Sequence, residues 1–251
     1  VNYAEVLKEA QVLGYAESDP AADVEGSDAA DKIAILSGLA FGGAINRANI
    51  PTTGINLLED IDVNYARKLG YGIKLLAISE KGEIQSSRED SQPLSVWVEP
   101  TLVPEDNPLA GVNGVNNAIL VEGDPIGQVM FFGPGAGSGP TASAVVADIL
   151  NIAGIQFMNE DSNSKLDPLL SAESWRDCHV SSESEVTKKN YIRLITEDTP
   201  GVIGQIGNIF GEKNISIESI VQFDATNDIA EIVVITHKIK TGDLKKALYD
   251  I

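Results

Sequence analysis

The chain has 251 residues, 18 of them basic and 37 acidic, for a formal charge of −19; a field of that sign repels phosphate backbones and anionic lipid surfaces, which excludes nucleic acid and membrane surfaces as expected partners. Its length allows one large domain or two ordinary ones. The single cysteine, Cys178, excludes a disulfide framework and a cysteine-built zinc site, the two histidines, His179 and His237, leave few imidazole ligands, and a cytoplasmic, reducing compartment is expected.

No run reads as the roughly 20 apolar residues that a bilayer crossing needs, and the N-terminus lacks the layout of a signal peptide. The chain opens Val1-Asn2-Tyr3 without an initiator methionine and enters a helical pattern at once, so it is expected to be part of a longer polypeptide. Residues 3–13 are predicted as a short helix with Val6, Ala10 and Leu13 on one stripe, closed by Gly14 where a helix C-terminus favours glycine. An acidic loop follows. From Asp28, "DAADKIAILSGLAFGGAINRA" is apolar nearly all round, which predicts a helix packed inside its domain, with Ser27 able to cap it.

After Pro51 the pattern predicts a helix over 56–69 and then strands over 73–79, 95–103, 118–122 and 127–132. "GPGAGSGPTAS" turns the chain into another helix over 142–153, with Val145, Ile149 and Ile152 on a common face. Residues 154–188 hold no sustained period, and their polar tracts "NEDSNSKLDP" and "SSESEVTKK" read as a surface linker. Beyond them come a strand over 191–196, a helix over 202–213, strands over 216–223 and 229–237, and a helix over 242–249, in the order βαββα. The expected class is α+β: a domain at 1–153 with a mixed, mostly antiparallel sheet and helices on one face, a linker at 154–188, and a smaller domain at 189–251.

In that smaller domain, "NYIRLITEDTPGVIGQIGNIFGEKNISIESIVQ" carries a strand into the turn Glu197-Asp198-Thr199-Pro200-Gly201 and then into a helix with Val202, Ile206 and Ile209 or Phe210 facing a core. Taken alone, this turn simply initiates a helix, with Asp198 as its turn residue. The segment resembles an ACT domain, the small ferredoxin-like module that binds amino acids, over residues 190–251. The resemblance implies an effector edge at Asp198 and Gly201, where free N–H groups at a helix start favour a carboxylate and an Asp receives an ammonium group. The last strand of the βαββαβ unit is expected to be missing.

Asp28 and Lys32 are four residues apart, so a helix puts them on one face; as an isolated solvated pair they would contribute only about 0.2–0.5 kcal/mol. With Glu17 and Asp23 from the loop before them, they could hold a zwitterion, carboxylates taking the ammonium group while a lysine reaches an oxygen that turns negative and gives it a proton. A calcium loop is excluded, because Gly26 in its sixth position would put Ala21 and Lys32 at ligand positions. Asp19, Glu25 and Asp31 are expected to be solvated charges. The glycines of "GPGAGSG" do not make G-x-G-x-x-G and fit either a tight strand-to-helix connection or a cofactor contact.

"GYAESDPAADVEGSDAADKIAIL" is similar almost letter for letter to the signature of homoserine dehydrogenases, and the likeness runs through 1–153, including "GPGAGSGPTASAVVADIL". The resemblance implies Lys32 as the catalytic proton donor, Glu17 and Asp28 on the amino acid part of the substrate, Asp23 orienting its neighbours, and Gly14 and Gly137 against the cofactor. It implies NADP or NAD as that cofactor, and reversible reduction of L-aspartate 4-semialdehyde to L-homoserine on the route to threonine and methionine. The family's nucleotide-binding half, with a second catalytic lysine and a cation loop, has no counterpart before Val1, so this chain is expected to be inactive alone and to hold no metal. Threonine is the expected effector, and a homodimer or homotetramer joined through the sheet of the first domain is the expected assembly. A non-catalytic amino-acid sensor acting through the ACT domain is the alternative.

Overall fold

Helix α1 (Tyr3–Val12) stops where the sequence predicts, because Gly14 takes the left-handed φ of +73° that lets the chain reverse after a helix. The computed structural model describes residues 3–82, 92–159, 176–226 and 228–251. A four-residue helix, α2 (Ala21–Val24), sits inside the acidic loop, and α3 (Ser27–Phe41) follows directly. Ser27 is the first residue of α3, and its hydroxyl donates to the Ala22 carbonyl rather than capping the helix. The expectation that α3 is enclosed on every side does not hold: Ala30, Ser37 and Gly38 are buried, while Ile35 and Leu39 are 64% and 53% exposed.

The chain continues through β1 (Gly43–Ala44), a 3-10 turn at Arg47–Asn49, α4 (Asp60–Lys68), β2 (Tyr71–Lys81), β3 (Gln92–Pro104), β4 (Asn116–Gly123), β5 (Gly127–Pro134) and α5 (Ser138–Asn159). Helix α4 starts later than the apolar pattern predicts because a capping box fixes its start, with the Glu59 N–H donating to Asp62 Oδ2 at 3.1 Å. After α5 come β6 (Arg176–Val180), β7 (Thr187–Lys188), β8 (Tyr191–Glu197), α6 (Val202–Glu212), β9 (Ile217–Thr226), β10 (Ile229–Thr236), β11 (Ile239–Lys240) and α7 (Thr241–Asp250). Residues 154–188, read as a linker, thus hold the end of α5, β6, a 3-10 turn and β7, with 160–175 outside the described residues.

Two compact units interleave along the sequence. Val1–Ala29, Thr53–Leu76 and Glu99–Trp175 form the first, and Ala30–Thr52, Ala77–Val98 and Arg176–Ile251 form the second. In the first unit β4 and β5 pair antiparallel, from Asn116 opposite Pro134 to Gly123 opposite Gly127, and Tyr65, Ala66 and Val103 are buried. Lys74 donates to the Val112 carbonyl and, at 3.0 Å, to Asn113 Oδ1, which holds the turn before β4.

Helix α5 carries an exposed apolar surface. Val145, Ile149 and Ile152 share a face, as expected, yet each is more than half exposed. Its stretch Ser138–Phe157 has a mean hydropathy of 1.2 and is long and apolar enough to cross a membrane by length and composition, with none of it buried. The expectation that no segment reaches that length is therefore corrected. The reason is that α5 extends beyond 142–153 in both directions.

One sheet is ordered β1-β6-β3-β2, and in it β6, which belongs to the second unit with β1, runs parallel to both β1 and β3 and pairs Cys178 with Gln92 and Val180 with Leu94. Leu94, Val96, Trp97 and Val98 make β3 the buried strand of this sheet. The other sheet is β8-β10-β9, antiparallel throughout. Ile192 of β8 and Ile232 and Val234 of β10 meet Ile206 and Phe210 of α6 and Leu244 and Ala247 of α7 in one apolar core. Alternation puts these strand residues on one face, and the α6 spacing of four puts Ile206 and Phe210 opposite them. Lys213, at the end of α6, donates to Asp250 at the end of α7, and that carboxylate holds the lysine ammonium above its ordinary pKa. The class is α+β with mostly antiparallel pairs, as expected.

Candidate functional site

Helix α1 delivers the chain into the acidic loop through four backbone hydrogen bonds: Leu13 N–H to the Glu9 carbonyl, Gly14 N–H to that of Gln11, and Tyr15 and Ala16 N–H to that of Ala10. The Gln11 side-chain amide then donates to the Glu17 carbonyl at 2.9 Å, fixing the backbone of the first candidate carboxylate. Glu17 itself is exposed. Asp19 accepts from the Ala21 N–H at 3.1 Å, so this residue, expected to be only solvated, organises the entry to α2.

Asp23 stands exposed on α2, and the carbonyl of Pro20 receives the N–H groups of Asp23 and Val24. Gly26 is buried with φ +81°, a conformation that suits glycine and that lets α3 begin one residue later. Asp28 lies half-buried in the first turn of α3, and Lys32 stands exposed one turn further along the same face. The structure therefore brings Asp28 and Lys32 onto one helix face and puts Glu17 and Asp23 on the loop that leads to it. Asp31, beside Lys32, accepts from Arg47 Nε at 2.8 Å in an exposed pair, the kind that contributes about 0–1 kcal/mol.

Gly14 and Gly137 both have positive φ, +73° and +113°. Around a Cβ added at Gly14 nothing lies within 4 Å, and at Gly137 the nearest atom is Pro140 Cδ at 3.7 Å. Each offers bare backbone that another group could approach closely. Among the described residues no group of three or more His, Cys, Asp or Glu side chains could hold a metal ion.

The second candidate site lies in the β8-β10-β9 sheet. Gly201 takes φ +97° at the start of α6, and the Asp198 N–H donates to the Asp228 carbonyl, which fixes the turn. Gln222 of β9 donates to Asp198 Oδ1 at 3.2 Å. A cleft of about 510 Å³ opens here, lined by Thr196, Asp198, Gly201, Val202, Gln222 and Ile232. Both residues read from the sequence line it. Gln222 and Thr196, whose hydroxyl oxygen is buried with no hydrogen-bond partner among the described residues, were not legible; neither belongs to the turn motif, and strand pairing brings them there.

The homoserine dehydrogenase family model matches residues 1–150, and the ACT domain model matches residues 190–251. The chain is 51% identical over 250 residues to the homoserine dehydrogenase of Synechocystis sp., covering 100% of this chain and 57% of that protein. It is 40% identical over 254 residues to that of Neisseria gonorrhoeae, of which it covers 55%. The crystal structure of a homoserine dehydrogenase from Thiobacillus denitrificans superimposes with a TM-score of 0.88 at 37% identity, over 100% of this chain and 55% of that one. The chain spans little more than half the length of these relatives.

Proposed function

Because this chain belongs to the homoserine dehydrogenase family and carries an ACT domain, we propose that it is the substrate-binding and regulatory portion of an enzyme that interconverts L-aspartate 4-semialdehyde and L-homoserine with NADP or NAD. The reaction lies on the route to threonine and methionine. The functional division is a catalytic and dimerisation region at 1–153 and a regulatory region at 189–251, joined through 154–188. The observation that supports this reading best is the unbroken path from α1 through α2 to α3, on which Gly14, Glu17, Asp23, Asp28 and Lys32 stand in signature order.

Glu17 and Asp28 take the substrate's ammonium group, since two carboxylates neutralise a cation by charge-assisted hydrogen bonds. Asp23 orients them. Lys32 gives a proton to the carbonyl oxygen as C4 is reduced, and takes it back from the hydroxyl in the reverse direction; its exposure lets solvent restore its charge. The cofactor, when bound, supplies the hydride, and Gly14 and Gly137 would hold its nicotinamide end.

The rest of the cofactor site, with a second catalytic lysine, belongs to the part of the relatives' length that this chain does not span. The bare apolar surface of α5 supports that assignment. The isolated 251-residue chain is accordingly expected to give no NAD(P)-dependent oxidation of homoserine; measurable turnover in a spectrophotometric assay would contradict this.

Subunits associate through the β4–β5 hairpin, giving a homodimer or homotetramer in the cytoplasm. Ile119 and Phe131 are directly opposite in its register and both are exposed, as is Val121 two residues on, which supports an apolar contact face.

An amino acid effector, threonine first among the candidates, occupies the cleft at Asp198 and Gly201. Asp198 receives its ammonium group, and the N–H groups at the start of α6 receive its carboxylate. Calorimetry with threonine, isoleucine, methionine and lysine tests this. Losing one charge-assisted hydrogen bond costs about 1.5–3 kcal/mol, so Asp198→Ala is expected to weaken binding by roughly 10- to 100-fold. No heat from any of the four would remove the effector assignment.

A further inference from the structure

In the first compact unit, the segment that leads to α4 runs against α2, and the two stretches meet main chain to main chain. The Ile55 N–H donates to the Val24 carbonyl at 2.8 Å. Gly54 is buried beside that bond. A Cβ added at Gly54 would stand 2.1 Å from the Val24 oxygen and 2.5 Å from Glu25 Cα. Both obstructing atoms belong to the backbone, so no rotamer change relieves the clash; either the loop or the segment has to move. The requirement at Gly54 is thus for space, whereas at Gly26, with φ +81°, it is for conformation.

Helix α2 is a single turn, too short to be stable by itself. Its position depends on what it touches. On one side Gln11 holds the backbone of Glu17, and on the other the Gly54–Ile55 backbone holds Val24 and Glu25, between Asp23 and Asp28. We infer that Gly54 is a positioning residue for substrate recognition: it touches no reacting group, and through its close contact with α2 it sets where Asp23 and Asp28 stand. This rests on the reading that these carboxylates face the substrate's ammonium group.

The test uses the complete enzyme that contains this chain, with homoserine and NADP or NAD varied separately. A displacement of the order of 1 Å in a binding group can cost about 100-fold, so Gly54→Ala is expected to raise the KM for homoserine by about 10- to 100-fold while the cofactor KM stays within about twofold. A merely structural role would lower the active fraction and leave both KM values alone. If Gly54→Ala does not fold, an amide-to-ester replacement at Ile55, which deletes the donor to Val24 and adds no atom, carries the same expectation at the lower end of that range. Asp28→Asn is the reference. A raised homoserine KM in Asp28→Asn with an unchanged one in the folded Gly54 or Ile55 variant overturns this inference alone. An unchanged KM in Asp28→Asn overturns the reading of the loop and this inference with it.

Discussion

Lys32→Ala, made in the complete enzyme, is expected to lower kcat for homoserine oxidation by about 10²–10⁴-fold, the range over which a positioned proton donor contributes. The side chain is exposed on α3, and truncating an exposed helix residue to alanine, the best helix former, leaves stability within about 0.5 kcal/mol. Rate and fold therefore separate cleanly. Steady-state kinetics beside a thermal melt checks both: an unchanged kcat leaves the amino-acid sensor as the remaining reading, while a lowered melting temperature would attribute the loss to folding. Lys32→Arg should not rescue the rate, because a guanidinium holds its proton across the working range and so is a poor acid.

The second large effect concerns stability. Phe210 is fully buried where α6 meets the β8-β10-β9 sheet, in contact with the cluster that includes Ile192, Ile232 and Leu244. Phe210→Ala removes a ring from a close-packed core and leaves a cavity, which costs about 3–5 kcal/mol. Urea unfolding of the chain should register that loss. The same substitution should also abolish the heat of effector binding, because α6 and β10 both line the cleft. Asp198→Ala, on an exposed turn, should weaken effector binding by roughly 10- to 100-fold and spare the stability. Equal stability of Phe210→Ala and the parent chain would contradict the core assigned here.

The regulatory module was legible because its information is local. Each of its elements announces itself within ten or so residues: Ile192 and Leu194 alternate, Ile206 and Phe210 recur at a helical interval, and Asp198-Thr199-Pro200-Gly201 breaks the chain between them. Strand β6 was not legible. Its residues, "RDCHV", are mostly polar, and they become a strand only because β1 and β3, far away in sequence, offer edges on both sides.

Apolar periodicity also says that a surface will be covered without saying by what. Helix α3 was expected to be enclosed because Ile33, Ala34, Ile35, Leu36 and Leu39 surround it, yet Ile35 and Leu39 face outward. Helix α5 carries the same lesson further, with Val145, Val146, Ile149, Leu150 and Phe157 all exposed.

At the candidate active site the sequence named the charged residues and missed what holds them. Glu17, Asp23, Asp28 and Lys32, the residues proposed to carry the chemistry, stand in a recognisable order. Gln11 and Gly54 carry none, and their importance lies in a carbonyl at residue 17 and a backbone contact at residue 24 that no spacing rule encodes. Arg47 is similar, since its bond to Asp31 joins residues 16 apart on different elements.

The most direct test is a crystal structure of the complete enzyme with homoserine bound. The account predicts the ligand's ammonium group within hydrogen-bond distance of the Glu17 and Asp28 carboxylates and its hydroxyl oxygen within reach of Lys32 Nζ. Homoserine seated elsewhere, or Lys32 turned away from that oxygen, would contradict it.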